Sequence, residues 1–343
     1  MKRSTLIGRT IEIHAFPGKY IQATGSQDFN KRRPDLTSLS EKISIFNDYF
    51  IPIHIERSKP QTSPPRTIHT KTGPLSDIEN GFIFKIKLDR KTIKYCADRF
   101  MTEFLKKEGA GQEAYSRELR STLFDGHLHH AFKSKVLLLL TSINISSPLC
   151  FPIESTRIFS YGSELPADRY RITLFPEKNV REILKIDSVD NLEFFRFIER
   201  IEAEISNRPK TPLAKAFSFI SHALTSNGFR DIEKLIWSIA SIEAALGEDD
   251  RAARRLIEIR LAALFPEILE TNAIREFKKM YDRRSKIVHG AISIPSAFTL
   301  EGMLKAGIES DDIQFSLFLA IKVIHAHFKR NTTKITFSTI ANT

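Results

Sequence analysis

The chain has 343 residues, 41% hydrophobic and 27% charged, the composition of a soluble globular protein with room for two ordinary cores. Its longest aliphatic run, residues 136–140, is far too short for a bilayer, and charged residues follow Met1 at once, so neither a membrane span nor a secretory signal is expected. Cys96 and Cys150 provide no disulfide framework and no zinc ligand set, which makes a cytoplasmic location the simplest expectation. The net charge of +11 is uneven: residues 1–150 carry 24 Lys and Arg against 15 Asp and Glu, residues 151–250 carry 13 against 17, and residues 251–343 carry 15 against 9. Two basic ends favour a polyanionic partner, because each cation that meets a phosphate releases condensed counterions.

Short strands are expected at 10–15, 42–46, 49–54 and 81–88, separated by Gly and Pro. The last is the clearest, with Phe82, Phe84, Ile86 and Leu88 alternating against Ile83, Lys85 and Lys87. Pro60, Pro64, Pro65 and Pro74 make 57–74 a mobile loop. From 95 to 144 the apolar spacing turns helical, then strands return near 155–161 and 169–175. His127, His129 and His130 lack the further ligands a metal site needs and read as a polar helix start, so no metal and no cofactor is expected.

A charged helix at 192–205 precedes Pro209 and Pro212, which no helix continues through, and the domain boundary is expected there. Residues 1–208 thus form an α+β domain, and residues 212–330 an all-α helical bundle with helices at 213–225, 229–246, 250–265, 272–289 and 311–330. Gly228, Gly247, Pro266 and Gly290 stand where helix ends are expected.

Wheel positions in this bundle place charges where apolar residues belong. Ile274, Phe277, Met280, Ile287 and Val288 share a face with Arg284, whereas Arg275, Lys279, Arg283 and Lys286 lie on the other side. Ile232, Leu235, Ile236, Ile239 and Leu246 similarly surround Glu243, and Leu256, Ile257, Leu261 and Leu264 surround Arg260. A lone buried charge costs several kcal/mol, so Glu243 is expected to face a cation, Arg284 first and Arg260 second. His289 stands in the last turn before Gly290, at the carbonyl end of the helix dipole, which favours a protonated imidazole. Arg284 and His289, five residues apart, lie about 140° apart on an ideal helix, so they meet on one phosphate through helix distortion or with help from a second chain.

The run Tyr281-Asp282-Arg283-Arg284-Ser285-Lys286-Ile287-Val288-His289-Gly290, preceded by Ile242-Glu243-Ala244-Ala245-Leu246 and Arg260-Leu261-Ala262-Ala263-Leu264, resembles the HEPN superfamily, specifically its Apea-like branch. The likeness covers the C-terminal third, and Ser285 stands where many HEPN proteins carry Asn, Asp or His. The resemblance implies a metal-independent endoribonuclease, a toxin or antiviral defence effector against phage. By carry-over Arg284 would stabilise charge on the scissile phosphate and His289 would move a proton to or from the 2′-hydroxyl or leaving oxygen. Tyr281, Ser285, Glu243 and Arg260 would support them, Arg283 and Lys286 would hold RNA, and the active unit would be a homodimer with a composite cleft, with Phe315, Phe318 or Phe328 as interface candidates. The N-terminal domain would sense a phage-derived or nucleic-acid trigger, regulate the effector or bind RNA. Two alternatives stand beside this: a catalytically inactive HEPN module for RNA binding or subunit assembly, and a regulatory protein whose basic charge serves another acidic partner.

Overall fold

The structure, a computed structural model, describes residues 9–17, 36–44, 51–57, 82–109, 117–148, 153–160, 163–165, 180, 183–206, 208–225, 231–247, 254–269, 271–292 and 310–337. Of the loop expected at 57–74, Arg57 ends a strand and residues 58–74 lie outside them, as do the strand expected at 169–175, Gly228 and Cys150.

Alternation builds the sheet. In Phe82–Leu88 (β3) Phe82, Phe84, Ile86 and Leu88 are buried, Ile83 and Lys85 are half-buried and Lys87 is exposed. This strand pairs antiparallel with Arg9–Pro17 (β1), from Arg9↔Leu88 to Ala15↔Phe82, and on its other edge with His54–Arg57 (β2). Ile153–Ser160 (β4) pairs with β1 and Ser163–Leu165 (β5) with β4, so the order is β2-β3-β1-β4-β5, antiparallel throughout. Of the strand expected at 42–46, the described residues 42–44 carry one bridge, Ser44↔Pro52, beside a short 3-10 turn at Leu36–Leu39, and 45–46 lie outside the described residues. Pro52 has no N–H to donate, but Ile53 bonds back to this segment, its N–H donating to the Ile43 carbonyl and its carbonyl accepting from the Glu41 N–H, both at 2.9 Å, before β2 begins at His54.

Two helices follow the third strand. Arg90–Glu108 (α1) starts where the Asp89 carboxylate accepts from the Thr92 N–H at 2.7 Å, a bond that holds this carboxyl below its usual range, and it stops at Gly109 with φ 65°. Arg117–Ser146 (α2) contains the three histidines in mid-helix rather than at a helix start. His127 stacks on Phe100 at 4.4 Å between ring centroids, and His129 Nδ1 donates to the Asp125 carbonyl at 2.7 Å.

The chain divides into two compact units, one of residues 1–140 and 153–170, the other of residues 141–152 and 171–343. The division therefore falls within α2 and not at the prolines of 207–212. The first unit is α+β; the described elements of the second are all helical. Asn191–Glu199 (α3) explains the shift: it sits with the C-terminal helices, where the Phe194 ring meets His325 at 5.9 Å and Phe328 at 5.4 Å, and Phe197 meets Phe328 at 5.5 Å. The expected helix at 192–205 breaks after Glu199 and resumes as Glu202–Ser206 (α4). Thr211 then closes the turn by donating both its N–H and its hydroxyl to Glu204.

The rest of the second unit comprises Pro212–Thr225 (α5), Asp231–Leu246 (α6), Arg254–Leu264 (α7), Ala273–Val288 (α8) and Ser310–Lys329 (α9). Helix α9 runs through the middle, buried from Asp312 to His327 at every residue except Gln314, against α5, α6 and α8. Ser241 of α6 donates to the Ala216 carbonyl of α5 at 2.8 Å, tying the closest pair together. No helix among the described residues is long and apolar enough to cross a membrane.

His325 and His327 on α9 are buried, and His325 Nε2 donates to the Ile145 carbonyl at 2.7 Å. Burial pushes the His325 imidazole down to about 4 and holds that of His327 below its usual value. Folded-state values below the unfolded ones mean that the stabilisation is present above pH ~6.5 and lost as pH falls toward ~4, by up to about 3 kcal/mol for His325 alone. Urea unfolding followed by the fluorescence of Trp237, the sole tryptophan, is expected to show that decline between pH 7 and 4.5; a flat profile would contradict it.

Candidate functional site

Helix α8 buries Ala273, Phe277, Met280 and Ile287, exposes Lys278, Lys279, Asp282 and Lys286, and carries Arg284 at the border, its side chain 25% exposed. Ile274 is half-buried, and Val288, expected on the apolar face, is 51% exposed. Val288 is the last helical residue, so the turn that would extend its face has already reversed direction.

Opposite Arg284 stands Glu243 of α6, 19% exposed, beside buried Ile239, Ile242 and Leu246. Arg284 Nη2 donates to Glu243 Oε2 at 3.3 Å, and the Tyr281 hydroxyl donates to Oε1 at 2.7 Å. Both carboxylate oxygens are thereby held from one helix, since positions 281 and 284 are one turn apart. Burial, then the hydrogen bond to Glu243, pushes the Tyr281 phenol up to about 12, which keeps it a neutral donor. Arg284 Nε is buried and has no hydrogen-bond partner among the described residues.

Arg260, the other expected partner of Glu243, turns elsewhere. It is buried, donates through Nη1 to the Leu246 carbonyl, and lies 4.9 Å from the centre of the Phe337 ring. Its guanidinium satisfies a carbonyl at the C-terminus of α6, an end that an intrahelical bond cannot reach. Arg283 also departs from the free solvated side chain expected of it: it forms an ion pair with Asp312 on α9, a residue 4% exposed, with Lys279 Nζ 3.6 Å away. Asp282 pairs with Arg254, which together with Lys278 also holds Glu258.

His289 closes α8, exposed, with its N–H bonded to the Ser285 carbonyl at 3.0 Å. Gly290 follows at φ 71°, its N–H reaching the Ile287 carbonyl, while the Ala291 and Ile292 N–H groups both reach that of Lys286. This is the paired bonding of a left-handed helix stop. It fixes the backbone under His289 and leaves the imidazole on the outside. A Cβ at Gly290 would touch nothing within 4 Å, so Gly290→Ala is expected to cost only the backbone penalty, about 1 kcal/mol, read as a shift in the Trp237 unfolding midpoint; an unchanged midpoint would contradict it.

The structure thus brings together Glu243, Tyr281 and Arg284, places Ser285, Lys286 and His289 on the following turn, and leaves Arg260 and Arg283 in separate bonds. Asp312 is the neighbour that sequence reasoning passed over; its signal was a carboxylate opening an otherwise apolar helix. Among the described residues no group of three His, Cys, Asp or Glu side chains is placed to hold a metal ion. No protein-family model, no curated protein and no solved structure matches the chain.

Proposed function

We propose that the second unit is a HEPN-like, metal-independent endoribonuclease in which the RNA 2′-hydroxyl attacks the adjacent phosphate, the P–O5′ bond breaks and the 5′-oxygen leaves with a proton. Arg284 stabilises the phosphate and His289 moves the proton to or from these oxygens. The observation that carries this reading is the clamp on Arg284: a carboxylate, itself gripped by Tyr281, orients the guanidinium from one side while a quarter of the side chain stays open. A guanidinium held in this way is preorganised for a phosphate, which strengthens its interaction where charge develops. The exposed imidazole five residues on supplies a group that can accept and return a proton at the reacting oxygens.

In this reading the active unit is a homodimer. On an ideal helix the two groups lie about 140° apart, and two helix ends facing across a two-fold axis supply a pair of each to one groove. Its interface lies away from Phe315 and Phe318, which are buried in the unit itself, and from Phe328, which is held against Phe194 and Phe197. The basic first unit senses the phage-derived or nucleic-acid trigger of a defence effector or toxin. Labelled total RNA incubated with the purified protein in EDTA tests the chemistry: cleavage is expected to persist. RNA bound but uncut would identify a non-catalytic module instead, and cutting that stops in chelator would overturn the metal-independent route.

A further inference from the structure

Away from Glu243 and Arg284, and sharing no residue with them, the second unit carries an open cavity of about 470 Å³ between the turn after Leu184, the end of α7 and the last turns of α9. That volume falls among small-molecule sites, about 300–1,000 Å³. Its floor is rigid. Lys322, buried, donates to the Leu184 carbonyl at 2.7 Å and the Lys185 carbonyl at 3.4 Å, lies 2.8 Å from Glu267, and stands 4.9 Å from the centre of the Phe265 ring. This ammonium is fully engaged, so it shapes the cavity without being the group that meets a ligand.

The rim is different. Lys185, Lys329 and Arg330 are exposed there and form no ion pair among the described residues, against one carboxylate, Asp187. Three exposed cations line one opening with Asp187 as the exposed carboxylate beside them and Glu267 below, already paired with Lys322, so the rim keeps a surplus of positive charge. Their charge is felt inside: burial raises the Glu267 carboxyl, yet the Lys322 bond with the charges of Lys322 and Lys185 holds it below its usual value. Lys185 is moreover held at φ 46°, a left-handed conformation that glycine adopts more readily than any other residue. The two carbonyls gripped by Lys322 fix that turn, and it sets the Lys185 side chain at the rim.

We propose that this cavity binds a nucleotide, whose phosphates meet Lys185, Lys329 and Arg330 and whose ribose hydroxyls donate to Asp187. The combination of surplus positive charge and a carboxylate acceptor outside the Lys322–Glu267 pair selects an anion that also carries hydroxyl donors, which distinguishes a nucleotide from inorganic phosphate.

Equilibrium dialysis of the full chain with ADP in magnesium-free buffer tests it, with inorganic phosphate and adenosine as separate probes. One ADP per chain is expected, bound at least about tenfold more tightly than either fragment, since a hydrogen bond to a charged group contributes about 1.5–3 kcal/mol. Lys185→Gly removes a cation at a position whose backbone glycine suits better, so folding is preserved; combined with Lys329→Gln it is expected to weaken ADP at least about tenfold. His289→Ala, remote from the cavity, should bind ADP as the wild type does, whether or not the chain cuts RNA. ADP no tighter than phosphate, a double variant that binds normally, or ADP lost in His289→Ala would each overturn the assignment.

Discussion

Substituting His289 by Ala is expected to lower RNA cleavage by about 10²–10⁴-fold while leaving the unfolding midpoint unchanged, because a positioned proton-transfer group contributes about that factor and this side chain is exposed. Arg284→Ala should reduce cleavage by about 10²–10³-fold, as for removal of a donor aimed at developing charge. It should also destabilise the fold modestly, since Glu243 keeps only the Tyr281 hydroxyl. The two effects separate in one experiment: activity and the Trp237 midpoint respond together for Arg284→Ala and apart for His289→Ala. Mixing the two inactive variants probes the composite cleft, because the heterodimer groove keeps one Arg284 and one His289, each from a different subunit. Restored cleavage in the mixture is expected; a wild type that cuts RNA as a monomer would sink the dimer.

Arg283→Ala is expected to be the most destabilising single change on the charged face of α8, at about 2–4 kcal/mol. Arg283 pairs with a carboxylate 4% exposed, and removing it leaves Asp312 to Lys279 alone, at 3.6 Å. The figure lies toward the low end for a broken buried pair because Arg283 itself is 24% exposed and Lys279 remains. Any loss of cleavage in Arg283→Ala should therefore track the fraction unfolded. Urea titration checks it, and Arg283→Ala with Asp312→Asn should recover much of the loss, since the second change removes the unpaired charge. A single variant as stable as the wild type would show the pair to be ornamental.

Local periodicity made much of this legible. The alternation of Phe82–Leu88 appears as burial residue by residue, and the intrusion of Glu243 and Arg284 into apolar stripes corresponds to a bond between them. Gly290 is the left-handed stop its position implied. Non-local choices were not legible: nothing in β1 announces that β4, far along the chain, pairs on its free edge. The partners of Arg260 and Arg283 were not legible for one reason, that a helical wheel gives direction but not the identity of the group across the gap. Arg260 found a carbonyl and Arg283 a buried carboxylate on a helix so uniformly buried that its wheel has no polar face. Val288 shows the wheel failing where the helix ends.

The position of α3 matters to anyone isolating the helical part. Cutting at the prolines of 207–212 gives a fragment with the whole clamp but without Phe194 and Phe197, whose rings cover His325 and Phe328, and without the Ile145 carbonyl that His325 binds. Two rings on the last helix would be newly wetted and a buried imidazole stripped of its acceptor, a recipe for inclusion bodies rather than a crystallisable module. A start before residue 141 keeps that cover in place, so the shortest expressible piece is set by a histidine on the last helix rather than by the linker that looks most like a hinge.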